Sequence, residues 1–364
     1  MSDRRRNLSN RAPYLGTVRV LARMGLAKTA RVIERAFDRR RWYCNALAGE
    51  SNYNICVNSD MTVSCNCQDF DGQGHIGDLR SQTLAEIFSG DVVSRFQSML
   101  FDRQFPTSNC SICPELAPLP AARAKLGPAS GALPVHGLMI ENTVLCNLRC
   151  GLCRRDELLA MRRQKSLTLD DVAHLADMVA DYGIERVSYF NLGEPFASRT
   201  IRQEVALLRD RNPDLFIVTS TNGALIDSDD KLEAALMMDL VFFSIDGSSQ
   251  EALVRYQVGG DFERSYGNMC RLVERRAVVL ADEPSARVPH IEWKYVLFRW
   301  NDSEQDLVCA IELARKAGVD RIAFYPGVAG HGDRSIRFYS DPFIRGLGPV
   351  VNGGVLVDLS ISCT

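Results

Sequence analysis

The 364-residue chain has no long apolar run: its densest stretches are short, such as Leu240 to Phe243, against the roughly 20 apolar residues that a membrane helix needs. A spanning topology is therefore excluded. It also lacks an excess of either charge, with 43 Lys and Arg against 45 Asp and Glu, which argues against general nucleic-acid affinity. No secretory h-region accompanies the twelve cysteines, so reduced thiols in a cytoplasmic compartment are expected and not a disulfide framework. Histidine is scarce, and His75, His136, His174 and His290 have no acid or thiol at a spacing that would make a catalytic pair. What is present is an ordinary hydrophobic fraction of 46%, able to build cores for roughly two domains at this length.

The charge that exists is concentrated at the start. Arg4, Arg5, Arg6, Arg11, Arg19, Arg23, Lys28, Arg31, Arg35, Arg39, Arg40 and Arg41 face only Asp3, Glu34 and Asp38. Val20, Leu21, Met24, Leu26, Val32, Ile33 and Phe37 are interleaved with them, so residues 1–42 read as a basic amphipathic helical segment. It either packs on its own domain as a solvated helix or presents a surface to an anionic partner. A cysteine-rich stretch follows over residues 43–114. Pro118, Pro120, Pro128 and Pro134 among Ala and Gly then mark residues 115–135 as an extended linker, because proline removes donors and stops helices.

Beyond the linker, apolar runs alternate with amphipathic helical patterns, the signature of parallel β/α units. Six strands are expected: Leu138 to Thr143, Arg186 to Asn191, Leu215 to Thr219, Leu240 to Ser244, Ile291 to Phe298 and Arg321 to Tyr325. Thr168 with Asp171 reads as a helix N-cap, and Gly183 as a left-handed stop. Residues 136–328 thus form one α/β unit, followed by a tail over 329–364.

Just after the first of these strands runs Cys146-Asn147-Leu148-Arg149-Cys150-Gly151-Leu152-Cys153. Three thiolates on one loop select iron–sulfur or zinc, and an odd ligand number leaves one position for an outside partner. Burial as three small hydrophobes, or a partial zinc site, fits poorly with the polar and glycine residues between them. The spacing resembles the radical S-adenosylmethionine (SAM) superfamily. That resemblance implies a [4Fe–4S] cluster on Cys146, Cys150 and Cys153, with SAM on the open iron, inside a partial (β/α)6 TIM-like barrel over about residues 136 to 328.

Several downstream segments are similar to motifs of that family. Asn191-Leu192-Gly193-Glu194-Pro195 resembles its Gly-Gly-Glu-Pro motif, which implies that Gly193 and Glu194 receive the SAM ammonium group, although Leu192 replaces the first glycine. Ser220 and Asn222, in Thr219-Ser220-Thr221-Asn222-Gly223, stand where relatives bind the ribose hydroxyls. Ser244, opening Ser244-Ile245-Asp246-Gly247, and Arg255 stand as candidates for the SAM carboxylate, since a guanidinium forks onto a carboxylate. Taken singly, turn chemistry explains Asn222-Gly223 and Asp246-Gly247 equally well. Leu152 replaces the aromatic residue often found before the third cysteine.

Upstream, Cys44, Cys56, Cys65, Cys67, Cys110 and Cys113 are too dense for a reduced compartment without a second metal site. A hairpin from Ile55 to Cys67, the turn Ile76-Gly77-Asp78-Leu79, a helix capped by Thr83 and Glu86, and a closing Cys-x2-Cys together resemble the SPASM or twitch auxiliary-cluster module. The resemblance implies a second [4Fe–4S] cluster on Cys44, Cys65, Cys110 and Cys113, with Cys67 as a substitute for Cys65 and Cys56 in the core. A zinc ribbon from the same residues is the alternative. In relatives the module follows the barrel, whereas here it precedes it.

The implied chemistry is reductive cleavage of SAM by an electron from a flavodoxin- or ferredoxin-type donor, then hydrogen abstraction from a small-molecule or peptide substrate. A small polar substrate such as a sugar or cyclitol, oxidised with help from the auxiliary cluster, is the main expectation. Peptide maturation and epimerisation are the enzymatic alternatives, the latter with Cys363 as hydrogen donor, since Cys270 and Cys309 fall in helical patterns and are expected in the core. A non-catalytic iron–sulfur or zinc scaffold is the remaining class. No cobalamin-binding domain is expected. Glu292, Lys294, Arg299, Asn301, Tyr325, His331 and Asp333 outline a polar pocket, and strand alternation puts Glu292 and Lys294 on one face, either as a buried charged pair that calls for ligand partners or as an exposed edge beyond an incomplete barrel.

Overall fold

The computed structural model describes residues 41–120, 122–327, 333–347, 349–352 and 354–359. Most of the basic segment over 1–42, together with His331 and Cys363, lies outside the described residues.

The strands in chain order are β1 (Trp42–Cys44), β2 (Cys56–Val57), β3 (Thr62–Ser64), β4 (His75–Asp78), β5 (Leu116–Pro118), β6 (Leu138–Ile140), β7 (Arg149–Cys150), β8 (Arg186–Ser188), β9 (Phe216–Thr221), β10 (Leu240–Ser244), β11 (Gln257–Val258), β12 (His290–Leu297), β13 (Arg321–Pro326), β14 (Val350–Asn352) and β15 (Val355–Leu359). The helices are α1 (Leu84–Ser89), α2 (Asp91–Phe101), α3 (Arg155–Met161), α4 (Leu169–Asp181), α5 (Ile201–Arg211), α6 (Asp229–Leu236), α7 (Gln250–Val254), α8 (Phe262–Asp282), α9 (Glu304–Ala317), α10 (Arg337–Ser340) and α11 (Pro342–Arg345). Among the described residues no helix is long and apolar enough to cross a membrane.

The six expected barrel strands pair in parallel in the order β6-β8-β9-β10-β12-β13, with helices in every connection, giving the α/β partial (β/α)6 barrel. Two-residue alternation sorts each strand. In β12, Ile291, Trp293, Tyr295 and Leu297 are fully buried and share a core with Leu307, Ala310 and Ala314 of α9, while Glu292, Lys294 and Val296 occupy the opposite, inner face. The expected caps form as full capping boxes at Thr83–Glu86 and Thr168–Asp171, each worth about 1 kcal/mol to its helix.

The sheet does not stop at six strands. On one edge β15 adds in parallel to β13 and β14 returns antiparallel, so the segment read as a tail supplies two strands and two short helices. On the other edge β2 runs parallel to β6, and β3 and β4 follow antiparallel, so the cysteine-rich hairpin continues the barrel sheet to eleven strands. The stretch read as a linker contributes β5, which pairs with β1. Its Pro118 ends that two-stranded ribbon, where a missing donor costs least. One hydrophobic core runs from Ala46 and Val57 through the barrel to Val357.

Two devices hold the hairpin to the barrel. The Met139 amide donates to Ile55 O at 2.7 Å and the Glu141 amide to Val57 O at 2.9 Å. Beyond the strand ends lies a buried ion pair, Arg162 Nε to Glu141 Oε1 at 2.8 Å. Arg162 also donates to Asn58 Oδ1 at 2.7 Å, Glu141 accepts from the Ser59 amide at 3.2 Å and from Asn191 Nδ2 at 2.9 Å, so the pair is fully surrounded by hydrogen bonds. Removing one partner of such a pair costs about 3–5 kcal/mol.

Gly137, at φ +155, enters β6 where any Cβ would lie 2.2 Å from Asn52 O. We expect Gly137→Ala to lower stability by about 1–3 kcal/mol in urea unfolding, more than Gly183→Ala, whose Cβ would meet only open space at φ +61. Equal losses at the two positions would mean that backbone conformation alone, and not the approach of residue 52, sets the cost.

Candidate active site

β6 delivers the chain to the cysteine loop at the C-terminal ends of the parallel strands, where reactive groups of such barrels lie. Cys146, Cys150 and Cys153 are all half-buried there. Burial pushes the Cys146 thiol up to about 11 and also raises Cys150 and Cys153. Thiols so placed ionise readily only beside a cation, as metal ligation provides. The Leu148 amide already aims at Cys146 Sγ from 3.4 Å. A set of three soft donors on one loop fits an iron–sulfur cluster.

The loop is fastened by the strand ends that follow it. Gly193 packs so closely that a Cβ there would sit 1.9 Å from Thr143 O, and the Glu194 amide donates to Leu145 O at 2.8 Å. The Glu194 carboxylate is 2% exposed and accepts from Thr221 Oγ1 at 2.6 Å, the Asn222 amide at 2.8 Å and the Phe196 amide at 3.2 Å. Burial raises its pKa despite these donors. Asn222 in turn donates its side-chain amide to Asn147 Oδ1 inside the loop at 2.9 Å. Arg155 closes the near side, donating to Cys146 O at 3.0 Å and Leu148 O at 3.2 Å.

A third attachment comes from residues that sequence reading did not single out. β7, carrying Cys150, pairs antiparallel with β11, Cys150 standing opposite Gln257, and the Gly151 amide donates to Tyr256 O at 3.0 Å. The buried Gln257 side chain accepts from the Asp246 amide at 2.9 Å and donates to Ser244 O at 2.9 Å, locking the end of β10 to the loop. Asp246, pushed up to about 7 by burial, is among the charges that act on Cys150. Glu204, also buried, gathers Asn142 Nδ2 at 3.1 Å, Tyr189 OH at 2.8 Å and Thr200 Oγ1 at 2.8 Å behind the site, and Asn142 reaches on to Pro195 O at 3.2 Å. No local pattern marks Gln257, whose partners Ser244 and Asp246 lie at the end of β10, or the contacts of Glu204 to Asn142 and Tyr189.

The remaining expected site residues divide. Ser220 and Ser244 sit half-buried near the ends of β9 and β10, and Arg255, just after α7, is exposed and in no ion pair among the described residues. Glu292 does not wait for a ligand: it bonds Arg321 Nη1 at 2.8 Å and Tyr325 OH at 3.2 Å, and Arg321 also pairs with Asp358. Lys294 lies 4.9 Å from the centre of the Tyr325 ring. Asn301 is fully buried and ties its own turn together through the Phe298 amide, Val296 O and Asp246 O, so it does not line a pocket. Arg299 and Asp333 are exposed and joined through their backbones. Cys309 is exposed on α9, contrary to the core position expected, while Cys270 is half-buried against the core.

The upstream thiols share one neighbourhood. Burial raises Cys65 strongly, and charges on Cys44, Cys110 and Cys113 add to the effect. Asn66 Nδ2 donates to Cys113 Sγ at 3.3 Å, and Thr107 Oγ1 lies 3.3 Å from Cys110 Sγ. Cys67 lies beside Cys113 and is pushed by burial up to about 12, whereas Cys56 is buried in β2 with Asn191 Nδ2 at 3.7 Å. Among the described residues no three Cys, His, Asp or Glu side chains close on a point that would hold a single metal ion. The connecting loop reaches the other cysteine group: Arg154 lies over the Phe70 ring at 5.1 Å, and a Cβ on Gly72 would be 3.4 Å from Met161 Sδ.

A cavity of about 580 Å³ opens at the opposite, N-terminal ends of β8 and β9, with Glu50, Glu115, His136, Glu185, Arg186 and Phe216 among its lining. Glu115 is also one of the charges acting on Cys44 and Cys67.

Residues 140–279 match the family model of the Radical SAM superfamily. That segment, which carries Cys146, Cys150 and Cys153, is thus similar to a superfamily whose cofactors are a [4Fe–4S] cluster and SAM. Over 98 residues the chain is 28% identical to GTP 3′,8-cyclase of Staphylococcus aureus strain JH9, and the match spans 26% of this chain and 28% of that relative. Among solved structures, Streptococcus suis SuiB bound to S-adenosylmethionine aligns with a TM-score of 0.42 and 16% identity, covering 53% of this chain and 41% of SuiB. Native anSMEcpe with bound AdoMet aligns with a TM-score of 0.36 and 19% identity, covering 51% and 50%.

Gln257→Ala strips partners from two buried backbone groups, so we expect a stability loss of about 1–3 kcal/mol and faster alkylation of Cys150 in the metal-free chain. Mass-spectrometric rates of iodoacetamide labelling check this. An unchanged Cys150 rate would show that the β7–β11 pairing holds the loop without Gln257.

Proposed function

We propose that this chain is a radical SAM oxidoreductase in which Cys146, Cys150 and Cys153 hold the SAM-binding [4Fe–4S] cluster and Cys44, Cys65, Cys110 and Cys113 hold a second one. The observation that carries the reading is the cysteine loop itself: three thiols at the strand ends, fastened by Gly193, Glu194 and Asn222. When bound, the two clusters and SAM supply a 5′-deoxyadenosyl radical for hydrogen abstraction and a one-electron acceptor for the resulting substrate radical.

The chain's own residues position the reactants. Gly193 and Glu194 offer backbone and a carboxylate to the SAM ammonium group, and the oxygens of Glu194 retain acceptor capacity beside the donors they already take. Ser220 and Asn222 face the ribose hydroxyls, while Ser244 and Arg255 take the SAM carboxylate. Among the described residues no ion pair engages Arg255, which suits it to this role. Inner-face positions carrying Ser188, Ser220, Ser244 and Lys294 favour a small polar substrate such as a sugar or cyclitol over an apolar one. Cytoplasmic location and a flavodoxin- or ferredoxin-type donor belong to the same proposal.

Anaerobic reconstitution tests it. We expect about eight irons per chain and 5′-deoxyadenosine from SAM with dithionite, with Cys146→Ala losing about half the iron and all cleavage. Cys110→Ala should lose the other half yet still cleave SAM, while failing to oxidise substrate. A chain that takes up only zinc, or never cleaves SAM, belongs to the scaffold class.

A further inference from the structure

α2 buries a face that is apolar except at one position. Val93, Phe96 and Leu100 are buried there, and Gln97, on the turn between them, is only 1% exposed. Among the described residues neither its Nε2 nor its Oε1 has a hydrogen-bond partner. A carboxamide taken out of water with its donors and acceptor unmet is costly, so such an orphan calls for a partner. The neighbourhood indicates which. One helical turn further on, Leu100 packs with Trp42 and Leu116, and Cys44 and Phe105 lie against them. Alternation puts Trp42 and Cys44 on one face of β1, and Cys44 stands opposite Leu116 in the β1–β5 ribbon. One turn back, Val93 belongs to the main core, against which Cys44 also packs. Cys44 thus borders the clusters at both ends of this face, and Gln97 stands midway along it. Donors already gather on the upstream sulfurs: the Ala46 and Leu47 amides on Cys44, and Asn66 Nδ2 on Cys113 at 3.3 Å.

We propose that Gln97 Nε2 donates a hydrogen bond to a sulfur of the iron–sulfur group that Cys44 holds, and thereby raises the reduction potential of the upstream cluster. The inference rests on the reading of Cys44, Cys65, Cys110 and Cys113 as its ligands. Anionic sulfur is the acceptor that a dry carboxamide N–H satisfies best, and a donor there stabilises the more negative, reduced cluster more than the oxidised one. A resident water, or any other protein group, would instead satisfy Gln97 equally with and without the cluster.

Gln97→Met keeps the side-chain volume and removes the donor, so it separates the hydrogen bond from packing. The parent for the comparison is the anaerobically reconstituted Cys146→Ala protein, in which only the upstream cluster remains. In a redox titration followed by electron paramagnetic resonance, the Gln97→Met cluster should be about tenfold less reduced at the parent's midpoint, a fall of about 59 mV for one electron. In urea, the substitution should raise the unfolding midpoint of the metal-free chain, which loses an orphan, and lower that of the loaded chain, which loses a bond. An unchanged potential would overturn the inference. So would an equal change in both unfolding midpoints, as a resident water would give. Should Gln97→Met fail to fold, the parent labelled with nitrogen-15 in its glutamine side chains decides: pulsed resonance should show an amide nitrogen coupled to the cluster, and no coupling would refute the bond. If the upstream cysteines take up no iron, the second-cluster reading fails and the inference with it. If iron loads and Gln97→Met moves neither reading, the inference alone fails.

Discussion

Everything at this site depends on holding three half-buried thiols on a short loop without letting them collapse into the core. Burial alone makes each thiol harder to ionise, most visibly at Cys150, where Asp246 adds to the effect. The fold answers by tying the loop, through its backbone and the Asn147 side chain, to successive strand ends. Glu194 and Asn222 reach it from β8 and β9, Gln257 relays it to β10, and Arg155 grips two of its carbonyls. Cys146 Sγ accepts at the longer distances usual for sulfur, from the Leu148 amide at 3.4 Å and from Asn222 Nδ2 at 4.0 Å. The sulfurs are thereby left as ligands for an incoming cluster.

The same logic extends to the upstream thiols. Pairing β2 with β6 makes the cysteine hairpin part of the barrel sheet, and the Glu141–Arg162 pair locks the two together. A buried pair of this kind contributes little net stability, but it strongly penalises any arrangement that separates its members. Placement of the hairpin before the barrel in sequence thus does not detach it in space. The 580 Å³ cavity, with Glu115 in its lining, lies at one end of the strands, while the loop of Cys146, Cys150 and Cys153 occupies the other.

Elements whose signal is local were legible in the sequence. The limits of β10 agree with its apolar run, and the capping boxes at Thr83 and Thr168 form as their spacing implies. Partners distant along the chain were not legible. Nothing local shows that Glu292 meets Arg321 or that Gln257 meets Ser244 and Asp246, and proline-rich composition concealed that Leu116–Pro118 pairs with β1. Helical periodicity around Cys309 indicated a helix but not which face it presents, and the structure turns that residue outward. The cysteine loop was readable because its ligand spacing is itself local, whereas the clamps around it are tertiary.

The most direct measurement is electron–nuclear double resonance on the reduced, anaerobically prepared protein with SAM labelled by nitrogen-15 at the amine and oxygen-17 at the carboxylate. The account predicts that both labels couple to an iron of the cluster on the Cys146 loop, as they must if the protein supplies only three of its ligands. A reduced cluster at that loop with neither coupling, capped by a fourth side chain of the protein, would contradict it.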